Sequence, residues 1–283
     1  MIEVINSKGS VSDVSKAVSS GLAYINAYDL DNKDLNLLSK TFGISEYILK
    51  DFLDPRELPR FEKEKTHEIL IMKCLTNDKV KTLGVIKHSK YIMTVSGEKF
   101  DFRAEADYFK DSSFMLKKIV YKIIKDFYDN LEKIEDDVNY VEDITFDMKT
   151  DDDPREIFKL KKLLFYRRKA LNGNKTVISN MNDLNDISIE LSQLVDTENT
   201  LTSRLTEIMN MHMTYTSNKL NETMKGFTII ASLILIPTLI SGIYGMNVLL
   251  PLGNLKGSFY IILGMMVISI IILLTYLKIR KWI

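Results

Sequence analysis

Eight residues near the carboxyl end of the chain, Asn221, Met224, Thr228, Ala231, Leu235, Thr238, Gly242 and Gly245, follow one another at alternating spacings of three and four. On a helix that spacing is a heptad seam, which puts all eight along one stripe. The stripe is small or polar at most positions, whereas its neighbours Phe227, Ile229, Ile230, Leu233, Ile234 and Ile240 are bulky and apolar. Two chemistries fit. Small residues let helices pack closely in an apolar medium, and in a symmetric ring of helices the same stripe lines an axial channel. Asn221 and Asn247, at the two ends of the stripe region, favour the channel, because an amide in lipid must meet water or a partner. Thr and Asn dipoles would then face a hydrated ion, with Met224 and Leu235 as apolar constrictions.

A stripe of this kind requires a membrane helix to carry it. Two segments have the necessary length of about 20 apolar residues, GFTIIASLILIPTLISGIYGM (226–246) and SFYIILGMMVISIIILLTYL (258–277), and neither has the polar face of a soluble core helix. Basic residues favour the cytoplasmic side. Lys219 and Lys225 precede the first segment and Lys278, Arg280 and Lys281 follow the second, which predicts cytoplasmic termini, a basic tail over 278–283 and an external loop over 247–257. Pro251, Gly253 and Asn254 are the turn formers of that loop, and Trp282 is an interfacial anchor.

The rest of the chain carries nearly all the charge. Lys plus Arg equal Asp plus Glu at 38 each, so no net field draws the protein to nucleic acid. The amino terminus lacks a basic start followed by an apolar stretch, so no cleavable signal peptide is expected. Residues 1–103 alternate between strand-like runs (EVIN, LAYINAYD, HEILIMKCL, KTLGVIKH, YIMTVS) and helix-like ones (NKDLNLLSKTFG, SEYILKDFLD), which predicts a small α/β domain. Asp31 and Gly43 cap the first of those helices. The single cysteine, Cys74, reads as a buried strand residue. The prolines of DPRELPRFEKEK exclude regular structure across it. Residues 104–225 form a helical region with breaks at TDDDP (150–154) and LNGNK (171–175), after which one helix from Thr176 to the end of the first span, roughly 100 Å long, would form a stalk.

Other constellations point to no chemistry. Glu132, Glu135, Asp136 and Asp137 read as a solvated helix face, and Asp151 to Asp153 as a capped turn. KLKKLLFYRRK lacks a stacking platform for nucleic acid. His67, His88 and His212 are far apart in sequence with no zinc-ligand spacing, and no Gly-rich phosphate loop is present. No constellation supports an enzyme or an organic cofactor.

The tetrapeptide YGMN at the end of the first span, a short loop, a second span and the ending KIRKWI together resemble the CorA family of magnesium transporters. SNKLNETMK, LKDFLDPRELPRFE and NLEKIEDDVNYVED extend the resemblance over essentially the whole chain. It implies an α+β membrane protein of the cell (inner) membrane, assembled as a homopentameric funnel with a cytoplasmic α/β domain, a helical stalk and a pore of five first spans. It implies that Gly245, Met246 and Asn247 form the outer selectivity ring around a hydrated cation. Asn221, Met224, Leu235 and Thr238 match pore positions, with Thr228 and Gly242 on the same stripe and Phe227 adding bulk beside Met224. Such a ring suits Mg²⁺, which keeps its waters, and the membrane potential would drive its entry. The resemblance also implies a regulatory Mg²⁺ between subunits, carried onto Asp51 and Asp186. Two departures stand out: the loop has no acidic residue and adds Lys256, and Lys50 and Tyr121 replace acids of a second cytoplasmic site found in some members. The alternatives are a transporter of Co²⁺, Ni²⁺ or Zn²⁺ with the same architecture, and a non-conducting membrane-tethered sensor or scaffold.

Overall fold

Alternating runs of Ile, Val, Leu and Tyr pair into a single seven-stranded sheet in the computed structural model, which describes residues 1–6, 9–11, 21–64, 66–147, 154–248, 250–252 and 257–282. The strands are β1 (Ile2–Asn6), β2 (Gly9–Val11), β3 (Ala23–Tyr28), β4 (Arg60–Glu64), β5 (His67–Thr76), β6 (Lys79–His88) and β7 (Tyr91–Ser96). Their order is β2-β1-β3-β7-β6-β5-β4, antiparallel throughout except where β3 lies parallel to β7. Helices α1 (Asn32–Phe42) and α2 (Glu46–Asp51) follow β3. As expected, the Asp31 side chain accepts from the Asp34 N–H at 2.7 Å, and Gly43 takes the left-handed conformation at φ 68° that ends α1.

The sheet is covered on both faces. Ile69 and Ile71 of β5 pack with Leu35, Leu38, Leu49 and Phe52 of the α1–α2 layer. The alternate residues Leu70, Met72 and Cys74 pack with α3 (Ser112–Asp147), α4 (Arg155–Ser179) and the first part of α5 (Asn185–Tyr244). One core therefore joins strands from residues 1–103 to helices beyond 104, and a compact unit extends over Met1–Met209; a second covers Asn210–Ile283. Gly84 of β6 lies beneath the Phe52 ring, where an added Cβ would fall 2.1 Å from the ring.

Three expectations are corrected. Strand β4 forms within the proline-rich connection, because Pro55 and Pro59 both precede it and β4 occupies an edge, paired only with β5. LNGNK does not break a helix, since α4 runs through it. Here Asn174 completes the edge of β5 beyond Pro59, before β4 begins: its amide Oδ1 accepts from the Lys73 N–H at 2.7 Å and its Nδ2 donates to the Lys73 carbonyl at 2.8 Å. Gly173 allows the approach, because a Cβ there would meet Pro59 Cγ at 2.6 Å. Nor does one helix start at Thr176. The chain turns between α4 and α5 at Asn180–Leu184, held by the buried side chains of Met181 and Leu184.

From Asn185, α5 continues for 60 residues, about 90 Å at 1.5 Å per residue. In its first part Ile187, Leu191, Leu194, Leu201, Leu205 and Ile208 are buried at heptad spacing. Glu198 occupies the missing position of that stripe. Although buried, it accepts from Arg168 Nε at 2.6 Å and from the Thr202 hydroxyl at 2.9 Å. Helix α6 (Ser258–Ile279) follows, and α5 and α6 each contain a stretch long and apolar enough to cross a membrane. Gly253, Asn254, Lys256 and Asp151 to Asp153 lie outside the described residues.

Replacing Asn174 with Ala leaves the Lys73 N–H and carbonyl buried without the partners that Asn174 supplies, a cost of roughly 2–6 kcal/mol at about 1–3 kcal/mol for each group. Thermal unfolding of the detergent-solubilised protein should show a clearly lowered midpoint for Asn174→Ala and almost no change for the exposed neighbour Asn172→Ala.

Candidate ion pathway and regulatory carboxylates

All eight seam residues are exposed, as is Phe227, and so are Met246 and Asn247 beyond the helix end. Most of the partly covered residues in the same stretch, Ile229, Leu233, Ile236, Ile240 and Tyr244, form a different line, flanked by Ser232 and Pro237. At about 100° per residue this line lies half a turn round the helix from the seam. The polar stripe thus lies within the wide arc of α5 that its own chain leaves open, an arc that also includes Ile230, Ile234 and Leu239. Met224, Phe227 and Leu235 are 56%, 65% and 67% exposed, so these bulky groups project outward from the stripe.

The hydroxyls on the stripe have a fixed polarity. Thr228 donates to the Met224 carbonyl at 2.8 Å and Thr238 to the Ile234 carbonyl at 2.7 Å. Each donor is satisfied inside the helix, which leaves the hydroxyl oxygen facing outward as an acceptor for water or a cation. At the helix end, the Gly245 N–H donates to the Ser241 carbonyl at 2.9 Å and the Met246 N–H to Ile243 at 3.2 Å. A side chain at Gly245 would bring Cβ to 3.1 Å from the Ser241 carbonyl, so glycine lets the chain close tightly before Asn247.

The two aspartates of the expected regulatory site lie on different elements. Asp51 ends α2, and its Oδ2 accepts from Arg60 Nη2 at 2.6 Å; Arg60 also pairs with Glu57 and, at 2.6 Å, with Glu62. Asp186 sits in the first turn of α5 with its side chain 83% exposed, 3.0 Å from Lys117 of α3. Among the described residues no ion pair or hydrogen bond joins Asp51 to Asp186 within one chain. Lys50 pairs with Glu46 at 2.9 Å. The exposed Tyr121 lines a groove of about 460 Å³ with Tyr128, Glu190 and Gln193.

One juxtaposition escaped the sequence reading. His67 and His88 are equidistant from the two-residue turn Asn77–Asp78, whose positive φ values of 49° and 58° fit a tight hairpin. The hairpin brings their rings to 5.2 Å, and the Tyr91 hydroxyl lies 2.7 Å from His67 Nε2. Burial, followed by the nearby His67 and Lys90, holds His88 below its ordinary pKa. No acid or thiol joins them in a metal-ligand group among the described residues. The position of a hairpin turn was the signal that could have found the pair. Cys74 is buried, as expected, and burial pushes its thiol up to about 12.

Comparison with known proteins identifies relatives over almost the full length. The cobalt/magnesium transport protein CorA of Methanocaldococcus jannaschii is 26% identical, with 93% of this chain and 92% of that protein aligned. The protein of the same name from Thermotoga maritima is 24% identical over 93% of this chain and 84% of its own length. The complete structure of the CorA magnesium transporter from M. jannaschii superposes with a TM-score of 0.84 over 100% of this chain and 99% of that one, at 24% identity. It shares the α/β domain, the long helix and the two apolar carboxy-terminal helices. The family model described as CorA-like Mg2+ transporter protein matches residues 19–280, so this chain belongs to the CorA-like family, whose members are ion transporters and not enzymes.

Proposed function

We propose that the chain assembles as a homopentamer in the cell membrane and conducts Mg²⁺ passively into the cytoplasm through a pore lined by the open stripe of α5. The observation that carries this reading is the uniform exposure of the seam from Asn221 to Gly245 on a membrane-length helix of a CorA-like protein. Five copies closing around that stripe would remove it from lipid and give its outward oxygens water to contact. At the outer end Asn247, beside Gly245 and Met246, would form a ring of neutral oxygens that holds the water shell of the ion. Mg²⁺ dehydrates reluctantly, so neutral donors that grip its waters can release it, whereas a cage of carboxylates would not. Met224, Phe227 and Leu235 would narrow the path and gate it by excluding water. With both termini in the cytoplasm, two charges crossing 100 mV gain about 4.6 kcal/mol, taking about 2.3 kcal/mol per charge. No organic cofactor is needed. The names of the two relatives support Co²⁺ as a second cargo.

Asp51 and Asp186 would together hold a regulatory Mg²⁺ between neighbouring subunits and keep the pore shut when the cytoplasm is replete. The residues present fit this role unequally. Asp186 is exposed and, among the described residues, held only by a half-exposed lysine, so a divalent ion would be able to displace Lys117. Asp51 is 13% exposed and gripped by Arg60, so the ion would have to share or break that pair. Two carboxylates and several waters match the octahedral demand of Mg²⁺.

The test is uptake into liposomes loaded with an Mg²⁺-sensitive dye under an inside-negative potential. The unmodified protein should take up Mg²⁺ and Asn247→Ala should lose at least tenfold of the rate; uptake unchanged by the substitution would remove Asn247 from the pathway. Absence of uptake of Mg²⁺ and Co²⁺ alike at low internal Mg²⁺ would favour the non-conducting tether. In the same assay, Asp51→Ala with Asp186→Ala should abolish the slowing of uptake as internal Mg²⁺ rises, and persistence of that slowing would exclude this pair as the sensor.

A further inference from the structure

The Asp51 carboxylate of the expected regulatory pair is already occupied within its own chain, and the occupant is one guanidinium shared among three acids. Arg60 Nη2 donates to Asp51 Oδ2 at 2.6 Å, Nε donates to Glu62 Oε1 at 2.6 Å, and Nη1 donates to Glu57 Oε1. Each acid takes a different nitrogen of the fork, so an Arg60 that releases Asp51 still keeps two carboxylates. The backbone that places Asp51 and Glu57 is held by other groups. Phe52, next to Asp51, is fully buried against Gly84. The chain beyond it is tied down by the buried Lys73, whose Nζ donates to the Pro55 carbonyl at 3.0 Å and to Thr82 Oγ1 at 2.8 Å. The Thr82 hydroxyl in turn donates to the Asp54 carbonyl at 2.7 Å. Within the turn, the Asp54 N–H donates to the Asp51 carbonyl at 3.1 Å and the Glu57 N–H to the Asp54 carbonyl at 3.2 Å. None of these bonds involves Arg60, which projects from the edge strand β4.

We infer that Arg60 is a competitor built into the regulatory site and sets the internal Mg²⁺ level at which Asp51 becomes available, an inference that rests on the reading of Asp51 and Asp186 as regulatory ligands. Arg60 holds Asp51 Oδ2 by a charge-assisted bond, and a second cation on the same carboxylate opposes that bond because like charges repel. Filling the site therefore requires Nη2 to withdraw. The withdrawal is affordable because Glu57 and Glu62 keep the guanidinium paired; a partly buried arginine left with no partner would resist it far more strongly. Asp51 meanwhile stays in place, since its backbone is anchored through Phe52, Lys73 and Thr82. The exchange thus costs one charge-assisted hydrogen bond and no rearrangement of the turn. Lys117 competes less at Asp186, where it offers a single ammonium to an exposed carboxylate and water weakens the pair. Arg60 is accordingly a positioning and threshold residue: it does not bind the ion, and it fixes how much is needed.

The full-length, detergent-solubilised protein is titrated with MgCl₂ while its thermal unfolding midpoint is followed, because an ion that binds only the folded state raises that midpoint. The part of the rise that Asp51→Ala with Asp186→Ala removes belongs to the regulatory site. For that part, Arg60→Gln should lower the half-maximal Mg²⁺ concentration about tenfold, the worth of one charge-assisted hydrogen bond. Arg60→Lys, which keeps the charge but not the fork, should lower it by a smaller factor. The midpoint without Mg²⁺ reports any loss of folding separately from this shift. Lys50→Gln removes a positive charge one residue from Asp51 that pairs instead with Glu46, and should leave the half-maximal concentration nearly unchanged. A concentration unmoved in both Arg60 variants overturns the inference and leaves the sensor reading standing. An equal shift in Lys50→Gln and Arg60→Gln also overturns it, by reducing the effect to the general field. A Mg²⁺ response left whole by Asp51→Ala with Asp186→Ala overturns the sensor reading, and the role of Arg60 with it.

Discussion

An amide or hydroxyl cannot rest unpartnered in hydrocarbon, and that cost governs how α5 is used. Asn221, Thr228 and Thr238 lie along one face of a helix whose other faces are Ile and Leu, and their own chain leaves that face open. The threonine protons are already satisfied by backbone carbonyls of the same helix, so what remains outward is a row of oxygen acceptors. Such a row is stable against water or other copies of the chain and unstable against lipid. The proposed assembly around the stripe, its wet interior and its affinity for a hydrated cation would all answer that one requirement.

The amino-terminal unit supplies a packed origin for the helix. Strands β5 and β6 are buried on both faces, and the helices α3, α4 and the start of α5 share one core with them. The buried stripe of α5 keeps its heptad spacing from Ile187 to Ile208, interrupted once by Glu198. A buried carboxylate is costly unless it is paired and hydrogen-bonded, and Arg168 and Thr202 meet that demand. A polar group at one position of an otherwise apolar stripe disfavours sliding of the helix along its neighbours.

Much of this was legible because the governing physics is local. Composition alone marks the two membrane-length segments, strand-like runs mark β1, β3, β5, β6 and β7, and Asp31 and Gly43 mark the ends of α1 by hydrogen-bonding and backbone demands that no tertiary contact overrides. The failures share the opposite property. Asn174 and Gly173 look like a turn, but their purpose is the exposed edge of β5, one hundred residues away in sequence. Pro59 looks like a breaker and in fact defines where β4 begins. His67 and His88 look unrelated until the register of a hairpin brings their rings together. The seam was visible as spacing, whereas its openness depends on which side of α5 is covered, which only the three-dimensional arrangement reveals. The pairing of Asp51 with Arg60 was likewise invisible, since the two lie on either side of two prolines.

The central claim is that the open stripe of α5, and no other face, is the wall of the ion path. Scanning cysteine reactivity tests it directly, because Cys74 is buried with its thiol pushed up to about 12 and so contributes no background. Single cysteines are placed at Ala231, Leu235 and Thr238 on the stripe and at Leu233, Ile236 and Ile240 half a turn away, and a water-soluble cationic thiol reagent is applied during Mg²⁺ uptake. The account predicts rapid modification and block at the first three positions and neither at the last three. Block at Leu233, Ile236 and Ile240, with the stripe positions silent, would contradict it.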